Sequence, residues 1–317
     1  MVHDSQPGPT GGTAAAGTIV IYTNNDMASD FSSLSIHTIT NKPWSVEQCI
    51  GKYAAAGVGG ITLWRYNFEG RDPSAVGRMI RDAGLTCTGL ARGGFFPAAT
   101  VAAGQAAIDD NKRALDEAAA CGAPALVLVC GALPGQALDI SRGQITGGIA
   151  ACLDHARAAG VKLAIEPLHP MYADDRSAIV TMGQANDVCD ALGSPPEVGI
   201  ALDVYHTWWD AALEREIHRA GNAGRLFAFH VCDWKTPTLD LLNDRGLMGE
   251  GCIDIRRIRS WVHAAGWKGF DEVEVFSARW WAADQDDYLA RITAAWREHG
   301  HSSIWMPNST TLPGGRL

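Results

Sequence analysis

What this chain lacks narrows it quickly. No apolar run approaches the roughly 18 residues a membrane-spanning helix needs, and positive charge is scarce: 26 Lys and Arg stand against 35 Asp and Glu, a formal charge of −9. There is no basic footprint for nucleic acid or an anionic membrane, so small molecules or proteins are the expected partners. The eight cysteines (Cys49, Cys87, Cys121, Cys130, Cys152, Cys189, Cys232 and Cys252) form no CxxC pair, and no secretory segment precedes them. They read as reduced core thiols of a cytoplasmic protein. No GxGxxG follows the first strand-like run, which argues against a dinucleotide-binding sheet. With 47% hydrophobic residues over 317 positions, the chain can bury a large core.

The opening stretch, MVHDSQPGPTGGTAAAG, is too rich in Gly, Pro, Ala and Thr to pack. Residues 1–30 are read as a flexible extension, 31–300 as one catalytic domain and 301–317 as a tail. The segment TIVIYTNND reads either as an extra strand or as a plug across a barrel floor.

From there β-rich runs alternate with amphipathic helical stretches. The runs are Leu34 to Thr38, Gly60 to Arg65, Cys87 to Arg92, Ala125 to Cys130, Lys162 to Pro167, Val198 to His206, Leu226 to Asp233 and Glu272 to Ser277. Between them lie stretches such as SVEQCIGKYAAAG, DPSAVGRMIRDAG, a helix from Gly147 to Gly160, and DIRRIRSWVHAAG, several opening on an N-cap residue and most closing on glycine. Near-continuous apolar strands suit a parallel sheet covered on both faces, and eight βα units close most naturally into a (β/α)8 TIM barrel. A doubly wound open sheet is the alternative.

Barrel chemistry belongs at the C-terminal strand ends. Glu166, Asp203, His230 and Glu274 end four successive runs. Strands about 5 Å apart bring such groups together, and packed carboxylates repel unless a cation neutralises them. A divalent metal is therefore expected. Three oxygen donors and one nitrogen suit Mn²⁺ first and Mg²⁺ next, with Zn²⁺, Co²⁺ and Fe²⁺ left open.

Further polar residues crowd the same rim. His169 follows Glu166 in a loop fixed by Pro167 and Pro170, and reads equally as an acid or base and as a residue that orients the ligands. His206 and Asp233 lie three residues past Asp203 and His230, placed to orient ligands or to meet substrate. Arg65, Arg92 and Lys235 are candidates to hold substrate oxygens, with an ion pair to the acidic cluster as the plainer alternative. The connection DWKTPTLDLLNDRGLMGEGCID reads as a lid, its hinge at Gly246, Gly249 and Gly251. The pairs Trp208–Trp209 and Trp280–Trp281 suit either ligand stacking or an interface.

With AIEPLHPMYADDRS, IALDVYHTWWD, FHVCDWKTPTLDLLNDRGLMGEGCIDI and GFDEVEVFS in this order, the chain resembles the sugar phosphate isomerase/epimerase superfamily over residues 32 to 300. The resemblance implies a TIM barrel whose metal is held by Glu166, Asp203, His230 and Glu274. EPLHPMYADDRS together with GLARGGFFPA is similar to the catalytic α subunits of C-glycoside deglycosidases. That similarity implies a C–C lyase acting on 3-oxo-C-glucosides, in which Glu166 and Glu274 share proton transfer and His169 acts on the phenol. It also implies a small β-rich partner subunit and a hetero-oligomer. A sugar or polyol isomerase, epimerase or dehydratase uses the same enolate chemistry and stays open beside it, as does a binding subunit with a vestigial site.

Overall fold

The structure is a computed structural model that describes residues 31–300; the expected extension, the TIVIYTNND segment and the tail lie outside the described residues. Eight parallel strands close a barrel: β1 (Phe31–His37), β2 (Val58–Trp64), β3 (Thr86–Gly94), β4 (Ala125–Val129), β5 (Lys162–Glu166), β6 (Val198–Asp203), β7 (Leu226–Val231) and β10 (Asp271–Val273). A short antiparallel pair, β8 (Asp233–Trp234) and β9 (Arg245–Gly246), lies in the connection after β7. The helices are α1 (Val46–Ala55), α2 (Pro73–Asp82), α3 (Val101–Cys121), α4 (Leu138–Ala159), α5 (Met182–Ala191), α6 (Val204–Thr207), α7 (Leu213–Asn222), α8 (Ile255–Ala264), α9 (Ala278–Trp281) and α10 (Gln285–Ala295).

Strand faces turned toward the helices are large and apolar, including Leu34, Ile36, Ile61, Leu63 and Leu90, all fully enclosed. The opposite set is small: Ala91, Val127, Ala164, Ala201 and Ala228 cluster together, as the narrow inside of an eight-stranded barrel requires. Beneath the mouth a polar layer replaces them. There Thr62 and Thr88 donate to Glu272 Oε2 at 2.6 and 3.1 Å. Seven of the eight cysteines are buried, Cys252 is exposed, and all are free thiols. Among the described residues no helix is long and apolar enough to cross a membrane.

Local sequence explains most element ends. Ser45 and Gln48 close a capping box on α1, and Thr100 and Thr181 cap α3 and α5, each cap worth about 1 kcal/mol. Two boundaries differ from expectation. Helix α4 starts nine residues before Gly147, and Gly148 serves close packing within it, since a Cβ there would sit 2.2 Å from the Phe96 ring. The run expected to extend to His206 stops at Asp203, whose carboxylate accepts the Tyr205 N–H at 2.8 Å and so caps α6.

Candidate metal centre

Register delivers the four expected residues to one level. Asp203 on β6 pairs with His230 on β7, Val129 on β4 pairs with Glu166 on β5, and His230 pairs with Glu272 on β10, two residues before Glu274. One ligand-type atom from each of Glu166, Asp203, His230 and Glu274 lies within 4.8 Å of the others, and all four residues are buried. Donors about 2.0 to 2.2 Å from one cation fall within about 4.4 Å of each other, so the cluster fits a single divalent ion. Its donor set, three carboxylates and an imidazole, is chemically suited to one.

Four enclosed carboxylates, counting Glu272, need compensating charge. Arg245 supplies part of it, its Nη1 reaching Asp203 Oδ2 at 3.0 Å and Glu274 Oε2 at 2.9 Å. His37 lies 3.1 Å from Glu274 Oε1 and 3.6 Å from Glu272 Oε2, while His230 Nδ1 lies 2.9 Å from Glu166 Oε1. These contacts show in the titrations. Burial works against charge on His230, but the Glu166 hydrogen bond and nearby carboxylates push it up to about 10. Burial raises Asp203 to about 7 despite Arg245. Burial also opposes ionisation of Glu274, yet His37 and Arg245 hold it well below the usual carboxylate range.

Of the residues expected to meet substrate, Arg92 and His206 line the cavity at the mouth, with Glu166 and Glu274. His206 is neutral in character, its pKa lowered well below normal by burial and then by Arg245. Three others are engaged elsewhere. Arg65 forks outward to Asp110 and Glu117 on α3, at 2.8 and 2.7 Å, rather than to the acidic cluster. Lys235 is held by Asp244. Asp233 accepts N–H bonds from Trp234, Gly249, Gly251 and Ile253 at 2.8 to 3.0 Å, and so organises the loop. The same loop holds Gly251, one of the glycines read as a hinge, in a close approach to the chain. A Cβ on Gly251 would sit 2.1 Å from Trp234 O, so this glycine is packed tightly against its neighbour.

His169 is not among the cavity-lining residues. Its ring stacks on Trp234 at 4.9 Å, its Nδ1 accepts the Met171 N–H, and its own N–H donates to His206 Nδ1 at 3.2 Å. Burial lowers its pKa. The tryptophan pairs divide: Trp280 stacks on Tyr288, Trp281 donates to Ile39 O, Trp208 packs near Trp234, and Trp209 is partly exposed. Sequence reasoning missed His37, although it closes a β-rich run just as Glu166 does. It also missed Arg245, whose place on the two-residue strand β9 gave no periodic signal.

Residues 50–299 match the xylose isomerase-like TIM barrel family. No curated protein matches the sequence. Among solved structures, a Sinorhizobium meliloti 1021 protein is 47% identical, with TM-score 0.81 over 84% of this chain and 98% of that one. The IOLI protein with a binding zinc atom is 16% identical, with TM-score 0.73 over 84% and 97%. The 3-keto-D-glucoside 4-epimerase of E. coli is 17% identical, with TM-score 0.62 over 81% and 95%. The last two are likenesses of fold.

Proposed function

Because the chain belongs to the xylose isomerase-like TIM barrel family, we propose that it is a divalent-metal-dependent enzyme that removes a proton beside a sugar carbonyl, and that its reaction is cleavage of the C–C glycosidic bond of a 3-oxo-C-glucoside. The observation that carries this reading is the unequal state of the two carboxylates lining the cavity. Glu274 is engaged on both oxygens, by His37 and by Arg245. Glu166 meets His230 through Oε1, and its Oε2 has no hydrogen-bond partner among the described residues. One available carboxylate oxygen suits proton removal from one face of the sugar, whereas epimerisation calls for bases on two faces.

A bound divalent cation would polarise the C3 carbonyl and make the C2 proton acidic. Glu166 takes that proton, and the C–H electron pair becomes the C2–C3 enolate. As the carbonyl re-forms, a C1–C2 double bond forms and the C1–aglycone bond breaks. The aglycone carbon leaves with the electron pair and recovers a proton, which Glu166 is placed to return. Arg245 and His206 are suited to orient the sugar oxygens, and His169 contributes by fixing His206 through its backbone N–H.

The 3-keto-D-glucoside named for the E. coli epimerase is the same oxidised sugar class. The similarity to deglycosidase α subunits also brings the small β-rich partner, Mn²⁺ and a hetero-oligomer into the proposal. The test is incubation of purified protein and Mn²⁺ with a 3-oxo-C-glucoside, with and without a candidate partner, reading released aglycone by mass spectrometry. Intact substrate under both conditions rejects the lyase.

A further inference from the structure

His37, His230 and Glu272 make a second group of metal-type donors, which shares only His230 with the four residues at the mouth. One ligand-type atom from each lies within 4.8 Å of the others, and all three residues are buried. Glu272 stands two residues before Glu274 and so belongs to the next level down the same strand face.

The imidazoles are the informative groups. His230 turns Nδ1 to Glu166 at 2.9 Å, and His37 turns Nδ1 to Glu274 at 3.1 Å. That leaves Nε2 of each ring, and both atoms are closed to solvent with no hydrogen-bond partner among the described residues. Orphaned polar atoms in a core are costly unless something satisfies them. His37 Nε2 faces Glu272 Oε2 at 3.6 Å, too far for a hydrogen bond. The separation does suit two donors on one ion, because donors about 2.0 to 2.2 Å from a tetrahedral metal lie about 3.3 to 3.6 Å apart. The two rings meet edge to face with centroids 4.5 Å apart. Glu272 is itself held in place. Thr62 and Thr88 donate to its Oε2 at 2.6 and 3.1 Å, and Ser35 Oγ shares a hydrogen bond of 2.9 Å with Thr88 Oγ1. Hydrogen bonds of this kind orient carboxylates that hold metals.

We propose that His37, His230 and Glu272 bind a second divalent cation, one level below the first, with Zn²⁺ the best match to two imidazole nitrogens and one carboxylate oxygen. Three protein donors leave the fourth tetrahedral position to a water. With both ions bound, His230 bridges them as an imidazolate, one nitrogen to each. The charges then balance: Glu166, Asp203, Glu272, Glu274 and the imidazolate carry five negative charges, and Arg245 with two divalent ions carries five positive. The deeper ion displaces the proton of His37 Nε2 and fixes the ring of His230, which in turn holds the upper ion. The site is independent of which reaction the mouth performs.

The experiment counts metal and needs no turnover. The full chain is stripped with a chelator, reloaded with excess Zn²⁺ or with Co²⁺ as its coloured substitute, desalted, and assayed for metal per chain by plasma mass spectrometry. The parent protein is expected to hold two ions and E272Q one. D203N, which loses a ligand of the upper group alone, is also expected to hold one. The visible absorption of four-coordinate Co²⁺ should vanish in E272Q and persist in D203N. A single ion in the parent protein leaves the three groups to a buried water and overturns the proposal, as does a second ion that survives E272Q. If E272Q does not fold, T62V and T88V remove the hydroxyls that orient Glu272, and each is expected to weaken the second ion about 10- to 100-fold in a Zn²⁺ titration. Unchanged affinity for that ion in both variants opposes the site.

Discussion

His37 Nδ1 lies 3.1 Å from Glu274 Oε1, joining the first strand of the barrel to the loop that leaves its last. Both side chains are enclosed, and His37 also faces Glu272 at 3.6 Å. Burial lowers the pKa of an imidazole, but the charge of Glu274 and its hydrogen bonds raise that of His37 above normal. It therefore orients Glu274 from behind, and that carboxylate favours the protonated form of His37. Substitution H37Q is expected to cost about 3 kcal/mol of stability, as breaking a buried charge pair does, and to weaken divalent-metal affinity about 10- to 100-fold. Thermal melts and a Mn²⁺ titration check this together; unchanged affinity would place His37 outside the site.

Arg245 is a counter-ion of the carboxylate cluster. Its guanidinium bridges Asp203 and Glu274 and lies over the rings of Tyr205 and Phe276 at 4.4 and 4.8 Å. A divalent ion bound to the same carboxylates takes over part of that neutralising work. Metal-free R245Q is thus expected to be destabilised by about 3 kcal/mol, with a larger stabilisation by Mn²⁺ than in the parent protein. Melting temperatures with and without the metal, for both proteins, give the answer. Equal Mn²⁺-induced shifts would show that Arg245 and the metal act independently.

The barrel was legible because its signal is repetitive. Eight apolar runs and their glycine-ended helices each repeat one pattern, so boundary errors of three residues at Asp203 and nine at Gly147 leave the topology intact. Glu166, Asp203, His230 and Glu274 were legible for a related reason, since strand ends are fixed points of the fold. The residues around them were not. Arg65 and Arg92 sit equivalently at strand ends in the sequence, yet one faces α3 and the other the cavity. That choice depends on Asp110 and Glu117, which are distant in the chain. Asp233 looked like a site residue because it is a carboxylate near the rim, but four backbone N–H groups, three of them from residues 249–253, claim it.

Away from the mouth, Asp271 provides a pH-dependent element of stability. Its carboxylate accepts from Arg259 Nε at 2.9 Å and Trp296 Nε1 at 3.0 Å, and burial raises its pKa above 3.8 even so, with Arg259 opposing. The folded chain then keeps a proton that the unfolded chain has already lost. Stability from this group is full below the unfolded value and declines as pH rises through the folded one, by at most about 1.4 kcal/mol per pH unit. Substitution D271N removes the titration. Urea midpoints from pH 4 to 8 should show the parent protein losing ground to D271N as pH rises, and parallel curves would contradict the assignment.

Glu166 and Glu274 look alike in sequence, and the proposed chemistry separates them. Glu274 is engaged on both oxygens, by His37 and by Arg245, while Glu166 keeps one oxygen without a hydrogen-bond partner among the described residues. If Glu166 moves the C2 proton, E166Q should lower turnover of a 3-oxo-C-glucoside about 10²- to 10⁴-fold, the usual contribution of a positioned base. The same change should abolish exchange of the C2 proton with deuterated solvent. E274Q acts differently, since it leaves Arg245 and His37 without a full charge to hold, so its deficit should appear first as weaker metal binding and be partly relieved by excess Mn²⁺. Proton exchange that survives in E166Q but disappears in metal-saturated E274Q would reverse the two roles.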